Sequence, residues 1–326
     1  MSLATECFSR RVGTCVLAAA LLTAAVADAQ SYPVKPIRVV TAEPGGGNDF
    51  AARLIGQAIS ARLGQQWIID NRGGAGGLIA AELVARAPAD GYTLLVYAGN
   101  IWTIPLLRKN VPYEVKDFAP ITWAARSPST VVVHPSVPVH SVRDLIGLAK
   151  ARPGQLSYGA GGVGASTHLA AELFKSMAQV DILFVPYKGN GPAMNDLIGG
   201  QVQVMFGTAG TVAPHIKSGR VRAIAVTSAE PSLLAPGLPT VAASGLPGYE
   251  SISIYGVFAP AATPETIIRQ LNLAIVAVLN LPEIRERFFN VGMEAVGSTP
   301  AQYAAAIKAD TARLRKVIVE AGIRAD

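Results

Sequence analysis

The stretch from residue 37 to residue 53 combines residue types that can hold a small anion. A β-branched run, residues 37–42, stops at a turn of Pro44 and three glycines, and helical spacing resumes at Asn48 and Asp49. The first N–H groups of a helix have no internal partner, and the helix dipole is positive at that end. Because glycines let a ligand approach these N–H groups, the unit is predicted to bind a small anion such as a carboxylate.

A second glycine-rich turn has the same placement, after a short strand and before a helix. Residues 159–164 contain four glycines, and they lie between a strand-like pair at 157–158 and a helical run over 168–177. Ser166 and Thr167 are predicted to be cap hydroxyls at the start of that helix. The two turns indicate two similar lobes, each presenting a helix N-terminus to a common cleft.

Neither turn completes a nucleotide-binding or catalytic motif. The first has Phe50 at the final glycine position of G-x-G-x-x-G and lacks the lysine of a P-loop, so a nucleotide site is not expected. The second approaches the nucleophile elbow G-x-S-x-G around Ser166, but its last position is His168. We predict no catalytic residue, and a secreted serine hydrolase that uses Ser166 with His168 or another histidine is the alternative function.

The chain offers no metal or cofactor site by its sequence. Its four histidines have no metal-ligand spacing, and its two cysteines, Cys7 and Cys15, lie in the N-terminal segment discussed next. We therefore predict no metal and no cofactor. Tyr187 and Lys188 end a strand-like run ahead of two glycines, and we place them at the rim of the cleft.

The first 29 residues have the pattern of a secretory signal peptide. Arg10 and Arg11 precede an apolar run over residues 12–26, and a small-x-small site ends at Ala29. Sec and twin-arginine export both fit the basic pair. We predict cleavage near Ala29 and a periplasmic protein, a compartment that argues against nucleic acid as a partner. The net charge of +6 is scattered without a basic tract.

Strand-like and helix-like segments alternate around both turns, which predicts an α/β fold with parallel sheets covered by helices. The chain is expected to cross between the lobes near residues 121–129 and 251–260. The predicted strands are 37–42, 67–70, 93–97, 130–133, 157–158, 182–185, 202–206 and 222–227, and the predicted helices are 51–64, 78–86, 141–150, 168–177, 264–279, 282–291 and 300–321.

Taken in order, short motifs along the chain resemble the Bug (TctC-like) family, the extracytoplasmic solute receptors of tripartite tricarboxylate transporters. Each motif is weak alone, but the ordered set spans nearly the whole exported chain. The motifs include residues 32–40 (Y-P-x-K-P-I-R-V-V), 44–46 (P-G-G), 70–72 (D-N-R), 74–77 (G-A-G-G), 90–95 (D-G-Y-T-L-L), 168–170 (H-L-A), 185–189 (V-P-Y-K-G), 238–240 (L-P-T) and 255–260 (Y-G-V-F-A-P).

The resemblance implies a two-lobed periplasmic-binding-protein fold, type II-like, in which each lobe is a sheet flanked by helices and the ligand cleft lies between them. Lobe 1 would comprise residues 31–124 plus 250–326, and lobe 2 residues 125–249. It also implies a non-enzymatic, monomeric receptor for a small organic acid that partners the membrane subunits of a tripartite transporter. An orphan binding protein that serves a sensor is a further alternative.

In such receptors one loop from each lobe grips a carboxylate, and the matching loops here are residues 45–49 and 161–166. Several departures from the family pattern, including Glu43 and Thr208, lie where ligands are selected. The predicted ligand-binding residues are Glu43, Gly45, Gly46, Gly47, Asn48, Asp49, Gly161, Gly162, Val163, Gly164, Ala165, Ser166, Tyr187, Lys188 and Thr208.

The acid at Glu43 and the absence of one at Gly207 distinguish this chain from the family pattern. A carboxylate side chain at Glu43 would repel a nearby ligand carboxylate unless it pointed away or were paired with a cation. We therefore expect a ligand less acidic than citrate, or one that carries a cationic group as well as a carboxylate.

Overall fold

A computed structural model describes residues 32–42, 44–73 and 77–324. The predicted signal peptide and Glu43 lie outside these residues. Residues 35–326 form one compact unit, and the fold below is that of this unit.

Ten strands and ten α-helices are found in the described part of the unit. The strands are β1 (Ile37–Thr41), β2 (Trp67–Asn71), β3 (Thr93–Ala98), β4 (Phe118–Val133), β5 (Ser157–Ala160), β6 (Leu183–Pro186), β7 (Val204–Thr208), β8 (Arg222–Val226), β9 (Ile252–Pro260) and β10 (Glu294–Ala295). The helices are α1 (Gly47–Leu63), α2 (Leu78–Ala85), α3 (Asn100–Leu107), α4 (Val142–Ala151), α5 (Ser166–Ala178), α6 (Asn190–Ile198), α7 (Ala209–Lys217), α8 (Glu265–Leu279), α9 (Pro282–Asn290) and α10 (Pro300–Glu320).

The strands follow the order β2-β1-β3-β9-β4-β7-β5-β6, and β8 and β10 also pair with β4. Near one end, β1 pairs in parallel with both β2 and β3. Near the other end, β5 pairs in parallel with both β6 and β7. The predicted parallel βαβ arrangement is therefore present twice, and antiparallel strands β4 and β9 separate the two sets.

The long strand β4 belongs to both sets. From Phe118 to Pro128 it pairs with β9, whereas from Ser129 to Val133 it pairs with β7 and β8. The two segments that we predicted to be crossings thus lie mostly within β4 and β9. Sequence patterns gave only the end of β4 because Pro120 and Pro128 interrupt it, and proline is disfavoured inside strands.

Each parallel set packs against its own hydrophobic core. One cluster includes Val40, Leu95 and Trp102, and the other includes Tyr158, Phe174 and Phe206. The C-terminal helix α10 contributes Leu314 to the first cluster and Val317 to the second. Helix α10 therefore links the two cores along its length.

The remaining helices were not all predicted. Helices α3 and α7 contain Pro105 and Pro214, which weaken the helical signal. Helix α6 covers residues to which the sequence analysis assigned neither a strand nor a helix. Within the described residues no single helix is long and apolar enough to cross a membrane, and α8 with α9 meets that test only as a pair bent by 76°.

Candidate ligand-binding site

The two glycine turns meet at one cavity of about 170 Å³. Gly47 and Asn48 line it from the turn after β1, and Gly164 and Ser166 line it from the turn after β5. We call residues 44–49 loop 1 and residues 161–166 loop 2. Pockets for drug-sized ligands measure about 300–1,000 Å³, so a cavity of this size suits a small metabolite.

Asp49 fixes loop 1 from inside the protein. Its side chain is buried and accepts hydrogen bonds from Gly45 N–H at 3.0 Å, Arg53 Nε at 2.9 Å and Asn71 Nδ2 at 2.9 Å. Burial raises the pKa of Asp49, but these donors outweigh it and hold the pKa below its usual value. Asp49 therefore orders the turn as a paired carboxylate.

The glycine at position 47 is required by close packing. A Cβ atom there would lie 2.6 Å from Tyr255 Oη and 2.9 Å from Met293 Cε. Helix α1 begins at this residue, and no side chain caps its N-terminus. The side-chain oxygen of the next residue, Asn48 Oδ1, is shielded from solvent and has no hydrogen-bond partner among the described residues. A buried acceptor normally has a donor, so Asn48 Oδ1 is an exception among the described residues.

Loop 2 is held by a buried histidine. Gly164 N–H donates a hydrogen bond to His168 Nδ1 at 3.1 Å, and the imidazole packs on Phe184 with ring centroids 4.2 Å apart. Gly164 has φ +80°, a conformation that favours glycine. Thr167 adds a longer contact, because Gly161 N–H reaches its Oγ1 at 3.4 Å.

The environment of His168 keeps its imidazole neutral. Burial lowers the pKa of His168 to about 4, although the charge of Glu172 acts in the opposite direction. Glu172 is itself buried and accepts hydrogen bonds from Tyr158 Oη at 2.5 Å and Lys175 Nζ at 2.7 Å. A neutral imidazole leaves Nδ1 free to accept from Gly164 N–H.

The predicted helix cap on loop 2 is wrong. Helix α5 begins at Ser166, but its N-cap is Ala165, which has no side chain able to cap. Ser166 is exposed in the first turn instead, and Thr167 hydroxyl turns back to the loop. The N-terminal N–H groups of α5 therefore have no side-chain cap, like those of α1.

Three further elements complete the cavity, and the sequence analysis did not select them. The start of α3 contributes Gly99, Asn100 and Thr103; the segment entering β9 contributes residues 250–255; and α10 contributes Asp310, Arg313 and Leu314. A signal for α3 was present, because Gly99 follows a strand and precedes a helix, as in the other two turns. No local pattern indicated that α10 would line the cavity, because that contribution depends on tertiary packing.

The other predicted residues lie away from the cavity lining. Gly45 and Gly46 are exposed in loop 1, and Val163 is 47% exposed in loop 2. Tyr187 Oη donates to Asp196 at 2.7 Å, and Lys188 is exposed. The remaining positions are Asp49, described above; Gly161, Gly162 and Ala165, which build the backbone of loop 2; and Thr208, whose Oγ1 lies 2.9 Å from Thr211 Oγ1.

The arrangement of Ser166 and His168 is unlike that of a catalytic pair. Among the hydrogen bonds of the described residues none joins them, and His168 Nδ1 is occupied by Gly164 N–H. The described residues also contain no group of three histidine, cysteine, aspartate or glutamate side chains suited to a metal ion.

A larger and more open groove, of about 1,000 Å³, runs between α5 and α10. It contains none of the predicted ligand-binding residues, and both of its walls are helix surfaces. The smaller cavity is the better candidate because it lies at the carboxyl ends of β1, β3 and β5, where ligands bind in open α/β sheets.

Comparison with known proteins gives a family match and similar solved structures. Residues 51–323 match the model of the tripartite tricarboxylate transporter family receptor, TctC. Among solved structures, Rpa4515 of R. palustris with adipate is 38% identical, covers 90% of this chain and 99% of its own, and has a TM-score of 0.79. The periplasmic binding protein BugD is 33% identical, with coverages of 90% and 99% and a TM-score of 0.75. MatC (Rpa3494) of Rhodopseudomonas palustris with bound malate is 29% identical, with coverages of 88% and 100% and a TM-score of 0.74.

Proposed function

The chain belongs to the tripartite tricarboxylate transporter receptor family, with the two-lobed fold of periplasmic binding proteins, and from this premise we propose that it captures a small carboxylate and delivers it to a membrane transporter. The family consists of solute-binding receptors, and two similar structures hold the dicarboxylates adipate and malate. Carboxylate is therefore the ligand class that we assign to this chain.

The observation that carries the proposal is the meeting of three helix N-termini at one small cavity. Helices α1, α3 and α5 all begin at residues that line it, and none of the three has a side-chain cap. Uncapped N–H groups and the positive ends of three helix dipoles favour a negative ligand group. The ligand carboxylate would lie between Gly47 and Gly164, within reach of Asn48 and Ser166.

We place the lobe boundaries where the sequence predicted them, with residues 31–124 plus 250–326 as lobe 1 and 125–249 as lobe 2. The change of partners along β4 at Pro128 and Ser129 supports this division. The ligand would draw the lobes together only by binding the closed form more tightly than the open form. The exported receptor would work as a monomer in the periplasm and present its closed form to the membrane subunits.

Thermal unfolding of residues 30–326 against paired ligands tests the carboxylate assignment. The panel contains small carboxylic acids and the matching primary amides, which keep the shape and lose the charge. A cognate acid at about one hundred times its dissociation constant stabilises a protein by roughly 2.7 kcal/mol, which gives a clear rise in Tm. We expect a rise with acids only; equal shifts with amides, or none with any acid, would overturn the assignment.

Delivery is tested separately, in cells. Uptake of the identified acid should stop when this chain is deleted and return when it is supplied again. Normal uptake in the deleted strain would contradict a role as transport receptor and would leave binding itself unaffected.

A further inference from the structure

The cavity carries a group of three charged side chains that the family comparison does not explain. Glu250, Asp310 and Arg313 line its wall, and we call them the charged triad. Taking the proposed carboxylate receptor as its basis, we propose that the charged triad rejects a second carboxylate and accepts a ligand ammonium, so that the preferred solute is an amino acid rather than a diacid.

The triad is held in a fixed arrangement. Arg313 Nη1 donates to Glu250 Oε2 at 3.0 Å, and Arg313 Nη2 donates to Asp310 Oδ1. Asp310 is buried, and its second oxygen accepts a hydrogen bond from Trp102 Nε1 at 2.7 Å. Asp310 is thus occupied on both oxygens, which leaves Glu250 as the acid with spare acceptor capacity.

The charge of the lining is unbalanced. Two carboxylates face one guanidinium, and the described lining contains no other charged residue, so its net formal charge is negative. Asp49 adds nothing to this sum, because it is outside the lining and paired with Arg53. A negatively charged lining would repel a second ligand carboxylate and attract an ammonium.

Arg313 is poorly placed to accept that second carboxylate. Its two terminal nitrogens already donate to the triad acids, and its Nε is shielded from solvent and has no hydrogen-bond partner among the described residues. A ligand carboxylate would have to displace Glu250 from Nη1. The Glu250 side chain is 37% exposed. One of its oxygens can therefore accept a hydrogen bond from a ligand ammonium while the other still accepts from Arg313.

The acid at Glu43, which lies outside the described residues, leads to a similar expectation. The charged triad supports the same expectation and does not involve Glu43. It lines the same cavity as loop 1 and loop 2. Ser251 and Ser253 are also part of the lining, and a serine hydroxyl oxygen can accept a hydrogen bond from an ammonium.

Titration calorimetry with three six-carbon acids tests the proposal. Adipate carries two carboxylates, 6-aminohexanoate a carboxylate and an ammonium, and hexanoate one carboxylate. For the wild-type protein we expect the amino acid to bind tightest and adipate weakest. In Glu250→Gln the net charge of the lining becomes neutral, and the affinity of adipate relative to 6-aminohexanoate should rise by about tenfold or more.

Glu82→Gln is the matched control. Glu82 has the same 37% side-chain exposure as Glu250 and pairs with Arg86 at 2.9 Å, but it lies on α2 and does not line the cavity. This variant should leave the ranking of the three acids unchanged. A change equal to that in Glu250→Gln would show a general charge effect and overturn the role of the triad.

The wild-type ranking tests the proposal even if Glu250→Gln does not fold. Tighter binding of adipate than of 6-aminohexanoate by the wild type would overturn the inference while leaving the carboxylate receptor intact. An unchanged ratio in a folded Glu250→Gln protein would do the same. Failure of all carboxylates in the wider panel would instead overturn the proposed function, and this inference with it.

Discussion

Loop 1 is fixed by a charged group, whereas loop 2 is fixed by a neutral one. In loop 1 the Asp49 carboxylate accepts hydrogen bonds from Gly45 N–H, Arg53 and Asn71. In loop 2 the buried imidazole of His168 accepts a hydrogen bond from Gly164 N–H and packs against Phe184. Both loops present a glycine and a helix N-terminus to the same cavity.

The difference shows two ways to order a loop at the proposed carboxylate site. A carboxylate close to a bound carboxylate would repel it, but Asp49 is paired with Arg53 and lies outside the cavity lining. A neutral imidazole carries no such charge and needs no cation beside it. The two solutions therefore differ in how they respond to substitution and to pH, and the following experiments separate them.

Asp49→Ala should have the largest effect. It removes an acceptor of three hydrogen bonds, and bonds to a charged acceptor contribute roughly 1.5 kcal/mol each, reduced at Arg53 by solvent. We expect urea unfolding to give a free energy lower by about 3 to 4 kcal/mol. Ligand affinity should fall by about tenfold or more, because Gly45 and the start of α1 lose their support.

Asp90→Ala is the control for this substitution. Asp90 pairs with Lys35 at 3.7 Å on the surface, and both side chains are largely exposed. Exposed ion pairs contribute little, so stability and affinity should stay close to wild type. Wild-type affinity in Asp49→Ala as well would show that loop 1 does not depend on its carboxylate.

Acid should weaken the support of loop 2 before that of loop 1. His168 has a pKa of about 4 in the folded protein and 6.5 as its ordinary value, so the unfolded chain binds more protons between these pH values. Unfolding free energy should therefore fall as pH falls from 6.5 towards 4, by at most about 3 kcal/mol at roughly 1.4 kcal/mol per pKa unit.

The contribution of Asp49 has a lower pH range. Its pKa is held below 3.8, so its stabilisation is present above that pH and is lost only as pH falls further. Urea unfolding of the wild type and His168→Phe from pH 4.5 to 7 measures the difference. The fall should be shallower in His168→Phe, and parallel curves would contradict a buried neutral histidine.

His168→Phe itself should have the smallest effect at neutral pH. The ring can still pack against Phe184, but Gly164 N–H loses its acceptor, at a cost of about 1 kcal/mol. Calorimetry should show ligand affinity lower by about fivefold. His168→Asn places an amide oxygen near the position of Nδ1, so it should recover affinity while losing ring packing and stability.

A reversed pattern in these two variants would change the comparison between the loops. If His168→Phe binds normally and His168→Asn does not, loop 2 depends on packing alone, and its hydrogen bond to Gly164 has no role in binding.

Much of the fold followed from local patterns, since strand and helix signals predicted the strands and helices of both parallel sets in their order along the chain. Where patterns failed, the cause was tertiary. Strand β4 contains Pro120 and Pro128, and it forms because β9 pairs with it from Phe118 to Pro128. Helices α3 and α7 form despite internal prolines because they pack on the sheet and bury residues such as Trp102 and Val212.

The candidate site was also predicted only in part, because some of its residues are brought together by tertiary contacts. Glycine turns after strands identified Gly47, Asn48, Gly164 and Ser166, all of which line the cavity. The sequence analysis placed Asp49 among the ligand-binding residues. In the structure its side chain pairs inside the protein with Arg53 and with Asn71, which lies on strand β2. Contacts between distant segments leave no pattern in a local stretch of sequence.

The sequence by itself determined the family, the alternation of strands and helices, and two glycine-rich turns between a strand and a helix, because each depends on residues close together in the chain. Only the tertiary structure decided which residues share the cavity. It brings Arg313 and Asp310 of the last helix to Glu250 and Trp102, across separations of 63 and 208 residues. The charge of this cavity wall is set by that packing, because α10 packs against both hydrophobic cores.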